Sequence, residues 1–210
     1  MNAKKEILED ISTTISKGLS KGIIMNPRKP MDEGNKITCR HTRFTNEEDY
    51  CARCSEEYED NNYLFTMEDG SYFQANFEFK IRSSKTSFLT KQTLCFLPSI
   101  SETTHKPIHC YLRLDYDSEV CNSFFHSQAH LHVGLGNDLR IPVDNILKLS
   151  DFLEFVLYLF YEDKLQLWRP ELKTEHTISD SSTSLTQTQI LANELKAYFY
   201  LHQKTTDYSP

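Results

Sequence analysis

Residues 72–82 read Y-F-Q-A-N-F-E-F-K-I-R. Phe73, Ala75, Phe77, Phe79 and Ile81 alternate with Gln74, Asn76, Glu78, Lys80 and Arg82. Side chains in a strand point alternately to opposite faces, so this run demands a sheet with one buried and one polar face. Asp69–Gly70, just before it, is a hairpin-type turn after a strand-like run at 63–67. Further strands must then carry the same two-faced pattern, and something must cover the apolar face. Residues 88–97 supply a strand-like run closed by Pro98. Residues 110–116 put Leu112, Leu114 and Tyr116 on one face and Tyr111, Arg113 and Asp115 on the other. Residues 129–135 put Leu131, Val133 and Leu135 opposite His130 and His132. The proline of Arg140–Ile141–Pro142 ends strand structure there.

The cover is helical. Residues 151–161, D-F-L-E-F-V-L-Y-L-F-Y, are apolar nearly all round and predict a buried central helix, with Ser150 as its N-cap. Residues 2–17 predict an amphipathic helix on Ile7, Leu8, Ile11 and Ile15, with Gly18 and Gly22 as alternative stops. The expected fold is α+β: an antiparallel sheet of four to six strands, its apolar face covered by helices, its polar face carrying a His/Asp/Arg cluster. The 210 residues divide into an N-terminal helix and loop (1–30), a Cys/His-rich segment (31–62) and the α+β core (63–170). A Ser/Thr-rich linker (171–186) and a C-terminal helix (187–210) follow. That last helix opens on a capping box, Thr186-x-x-Gln189.

Composition excludes some classes. A net charge of −7 disfavours a general binder of phosphate backbones, though a local basic patch remains compatible with it. No secretory leader and no membrane-spanning run is seen, so a cytoplasmic location is expected. Cysteines there are thiols or metal ligands. Cys39, His41, Cys51 and Cys54 offer the ligand types of a structural zinc site, in a segment with few large apolar residues. Reduced cysteines in a surface loop are the plainer alternative.

The polar face holds the other constellation. If the two runs pair antiparallel, Arg113 and Asp115 come close to His130 and His132. Asp with two His is a metal-ligand or acid–base set. His126 could add a third imidazole, and Arg113 with Arg140 could clamp an anion. The plainer alternative is a satisfied polar network.

R-L-D-Y (113–116), H-S-Q-A-H-L-H (126–132), R-I-P (140–142) and F-L-E-F-V-L-Y-L-F-Y (152–161) together resemble an uncharacterised bacterial domain family. That family carries R-x-D-Y, H-P-x-x-H-L-H, R-I-P and a final F-x-x-F-x-x-x-x-F-Y helix; this chain has Ser127 where the pattern has proline. The resemblance spans roughly residues 63–165 and implies a bacterial origin and a role beside mobile-element or phage-defence genes, but no activity. His130–Leu131–His132 also resembles the metal-binding strand of single-strand nucleases and relaxases, whose nucleophile is a later Tyr; Tyr158, Tyr161, Tyr198 and Tyr200 follow in order.

Two function classes result. One is an accessory or interaction subunit of a bacterial multi-protein system, with a protein partner or a second copy held through the terminal helices. The other is a metal- or His-dependent phosphoester hydrolase or nuclease acting through Asp115, His130 and His132.

Overall fold

The computed structural model describes residues 2–39, 44, 46–59, 62–120, 128–134, 139–143 and 147–170. The chain divides into two compact units, Met1–Leu153 and Glu154–Pro210. In chain order the elements are α1 (Ala3–Ser20), β1 (Met31–Asp32), β2 (Lys36–Thr38), α2 (Glu47–Glu59), β3 (Phe65–Thr66), β4 (Tyr72–Ser83) and β5 (Thr86–Leu97). Then come β6 (Leu112–Asp117), β7 (Ala129–Val133), β8 (Leu139–Pro142), α3 (Leu149–Phe160) and α4 (Glu162–Trp168).

The sheet is antiparallel throughout, in the order β1-β2-β4-β5-β6-β7-β8, with β3 paired to the start of β4. Among the described residues it has eight strands, more than the four to six expected. The two that the sequence conceals are β1 and β2, of two and three residues, too short for periodicity to register.

The alternation of β4 decides the faces. Phe73, Ala75, Phe77 and Phe79 are all buried. Phe73 stacks on Phe65 at 4.6 Å between ring centroids, lies 5.3 Å from Phe96 and meets Phe152 of α3 at 6.1 Å. Leu94, Leu112, Leu114, Leu131 and Val133 continue this face across the next strands. α1 is pinned to it at its start. The Asn2 side chain accepts from Lys5 N (3.2 Å) and from the Ser87 hydroxyl (2.8 Å), and Ser87 Oγ accepts from Lys4 N (3.0 Å). Ile11 and Thr14 are buried further along.

The start of α3 is capped from a distance. Ser150 lies inside the helix rather than before it, and the acceptor is Asp10 of α1. Its carboxylate takes Leu149 N at 2.8 Å and the Ser150 hydroxyl at 2.7 Å. In the second unit, buried Glu154 accepts from Trp168 Nε1 (3.2 Å) and Arg169 Nη1 (3.1 Å), which ties α4 back to α3. Among the described residues no helix is long and apolar enough to cross a membrane.

The Cys-rich segment also takes a shape of its own. Much of it is α2, which lays Tyr50 and Cys54 against Tyr72, Cys95, Leu97 and Tyr111. Those four belong to the face that alternation marks as polar, so one end of that face is covered by a second, smaller core.

Of the two stop signals, Gly22 performs the turn, at φ +65° with its N–H on Leu19 O. Gly18 serves a different need. A Cβ there would lie 2.4 Å from Ile24 Cδ1, and Ile24 is itself buried. Gly18→Ala should therefore destabilise by about 1–3 kcal/mol through overpacking, against the usual gain for alanine in a helix. Urea melts of the variant would check this; an unchanged or raised midpoint would contradict the close approach.

Candidate functional site

The residues of interest come together because β6 and β7 pair in one particular register. Arg113 faces His132 and Asp115 faces His130, while Leu112 and Leu114 face Val133 and Leu131 on the other side. On the flanks, Thr93 of β5 sits opposite Asp115, and Arg140 of β8 sits opposite His132. The row Thr93–Asp115–His130 and the row Arg113–His132–Arg140 thus lie side by side on the polar face.

Arg113 organises the cluster. Its Nε donates to Asp115 Oδ2 at 2.9 Å and its Nη2 lies 3.0 Å from His132 Nε2. His132 Nε2 is also 3.3 Å from Asp115 Oδ2, and the Thr93 hydroxyl donates to Asp115 Oδ1 at 3.1 Å. The His130 and His132 rings meet edge to face with centroids 4.7 Å apart. One ligand atom from each of Asp115, His130 and His132 lies within 4.8 Å of the others, so the three could hold a metal ion. Among the described residues this is the group of that kind.

The geometry sets His132 a problem it cannot solve alone. A guanidinium only donates, so against Arg113 the Nε2 must accept; against the carboxylate it must donate. Whichever tautomer is present, Nδ1 is buried with no partner. Such an orphan costs about 1–3 kcal/mol. The residue is 2 % exposed.

Electrostatics follow from the same contacts. Burial alone would raise the Asp115 carboxyl. Its hydrogen bond with His132, the charge of Arg113 and the Thr93 hydroxyl outweigh that and hold its pKa at about 2. Arg113 feels burial too, which favours the neutral form, but the neighbouring carboxylate raises its pKa above the ordinary value.

Several candidates fall elsewhere. Arg113 is committed to Asp115, so it is not a free half of an anion clamp; Arg140 is exposed on β8. His126 and His41 lie outside the described residues. Of the cysteines, Cys51 and Cys54 sit on α2, with Cys54 in the small core on the polar face. Cys39 N bonds Ala75 O, and the alternation of β2 carries Cys39 with Ile37 to the apolar face. These three do not form a ligand group. Burial pushes the Cys39 thiol up to about 12, and burial raises Cys51 as well, so neither is poised as a thiolate. Thr93 is the participant that sequence reasoning missed; its one signal was its position on the polar side of the 88–97 run.

The pKa shift has a consequence for stability. The folded value of Asp115 lies below the unfolded value of about 3.9, so its contribution is complete above roughly pH 4 and is lost as pH falls toward about 2. With chelator present, Asp115→Asn should destabilise by on the order of 2 kcal/mol at pH 7. A penalty of this size follows because the Asp115 side chain is only 20 % exposed. Urea melts of both proteins between about pH 7 and 2 should converge at the acid end; a gap independent of pH would contradict the account.

Neither the curated proteins nor the solved structures contain a match to this chain. A family model does match, over residues 24–199, and so takes in β1, β2 and α2 as well as the motif-bearing stretch. By that match the chain belongs to the family described as an uncharacterized conserved protein (DUF2290).

Proposed function

We propose that the chain is a metal-dependent phosphoester hydrolase whose divalent ion is held by Asp115, His130 and His132. The observation that carries this is the convergence of one carboxylate and two imidazole ligand atoms within 4.8 Å on rigid, paired strands. Two imidazoles and a carboxylate suit zinc first and iron or manganese next. An ion in such a site supplies a Lewis acid for a phosphoryl oxygen and an acidified water. Arg113, engaged by Asp115 and His132, adds positive charge beside the site without itself clamping an anion. Thr93 and Arg113 orient the Asp115 carboxylate, as partners beyond the ligands do in metal sites.

The reading as an accessory subunit of a bacterial multi-protein system rests on the terminal helices as docking elements. α1 is held on β5 of its own sheet, and the C-terminal segment lies outside the described residues, so no described feature favours it.

Calorimetric titration with Zn²⁺ and with Mn²⁺ should find about one site per chain, lost in Asp115→Asn and His130→Ala but kept in Cys51→Ser. Hydrolysis of bis(p-nitrophenyl) phosphate by the loaded protein should fall by on the order of 100-fold or more in the first two. A folded wild type that binds no metal would sink the proposal at its root. Binding without turnover would remove the hydrolase and leave a metal-binding module.

A further inference from the structure

The tip of the β4–β5 hairpin runs against the charge of the rest of the chain. Residues 79–91 contain Lys80, Arg82, Lys85 and Lys91 and no Asp or Glu, in a chain of net charge −7. Residues 80–85 are all exposed. Among the described residues, no ion pair engages Lys80, Arg82 or Lys85. Phe88 is 37 % exposed, and the Arg82 guanidinium lies 5.0 Å from its ring centroid.

Register decides which way this tip faces. Lys80 pairs with Phe88, and a bulge at Glu78/Phe79 keeps both on the side of Glu78 and Lys91. That is the polar face. At the base of the tip an open groove is lined by Lys36, Thr38, Asn76, Glu78, Lys91 and Thr93. Here Lys36 pairs with Glu78 and Lys91 with Asp117. Thr93, at the far end, donates to Asp115. From Phe88 to Thr93 the path along β5 is about 16 Å at roughly 3.3 Å per residue. A cationic, aromatic-bearing tip therefore shares one sheet face with the metal-ligand cluster, and the groove between them, which Glu33 also lines, has its two lysines paired with carboxylates.

We propose that the hairpin tip and its groove bind a single-stranded nucleic acid, backbone phosphates on Lys80, Arg82 and Lys85 and a base on Phe88. This rests on the hydrolase reading, whose substrate class it names. Whole-chain charge argued against nucleic acid; a local cluster of cations on one exposed hairpin answers that objection, because phosphate contacts are local. An exposed aromatic among cations suits an unpaired base, which offers its ring face; a paired base does not. A membrane surface fits less well. Ile81, the other exposed apolar residue of the tip, alternates to the opposite face from Phe88, so no single apolar face is presented.

Fluorescence anisotropy of the full chain with a labelled oligo(dT) of about 12 nucleotides tests this, in EDTA so that nothing is cleaved. Binding should weaken with salt with a log–log slope of about −2, as three phosphate contacts to a single strand predict. Lys80→Glu with Arg82→Glu and Lys85→Glu should cost at least tenfold in affinity at an unchanged melting temperature. Phe88→Ala should cost several-fold without changing the salt slope. No binding at roughly 50 mM salt, or equal binding by the charge-reversed variant, overturns the inference. So does tighter binding to duplex DNA, anionic vesicles or polyglutamate. The two proposals fail separately. Hydrolysis of the small diester without oligonucleotide binding removes the substrate assignment alone. Oligonucleotide binding without metal-dependent hydrolysis removes the hydrolase alone.

Discussion

The polar face depends on packing behind it. Leu114 and Leu131 are paired at 1 % and 0 % exposure, and Leu112 faces Val133 beside them. Slipping β7 by one residue against β6 would bring His130 and His132 into that core and turn the leucines outward. Each such side chain is worth roughly 1.5–3 kcal/mol in burial. That exceeds the net worth of an ordinary hydrogen bond, about 1 kcal/mol. The apolar face therefore sets the register, and the Asp, Arg and His partners inherit their neighbours from it.

A second influence comes from α2. Cys95 faces Arg113 across β5 and β6, and Cys95 and Tyr111 belong to the small core that α2 closes. Arg113 thus stands at the border between the covered end of the face and the open row that contains Asp115. Its side chain is 15 % exposed. At such a border a charge pair is stronger than on a wet surface, yet neither ion is fully stripped of solvent. This explains how the cluster keeps an ionised carboxylate next to a histidine that is almost completely enclosed.

Much of the architecture was legible because β4, β6 and β7 obey strict alternation, and alternation is a local signal. That Arg113 and Asp115 would come close to His130 and His132, if the two runs paired, followed from it; the register Asp115 to His130 did not. What escaped the sequence depends on distant partners. His130 and His132 alternate identically, and only their neighbours make one ring 2 % exposed and the other half-buried. In α2 the chemistry-bearing cysteines drew the eye to metal, while the four-residue spacing of Tyr50 and Cys54 marked the apolar stripe that docks the helix. β1 and β2 are too short to carry any pattern. The cationic hairpin tip was in plain view, but net charge averages over the whole chain and hides a segregated patch.

The Asp10 carboxylate on the start of α3 joins residues 139 positions apart. A helix capped by its own sequence can begin to form early; this one completes its cap after about two-thirds of the chain has closed into a loop. Completion of α3 is thereby linked to the docking of α1, and the two report on each other during folding. α1 also lies outside the matched residues 24–199. The step that finishes α3 in this chain is entrusted to a segment that the family pattern does not include.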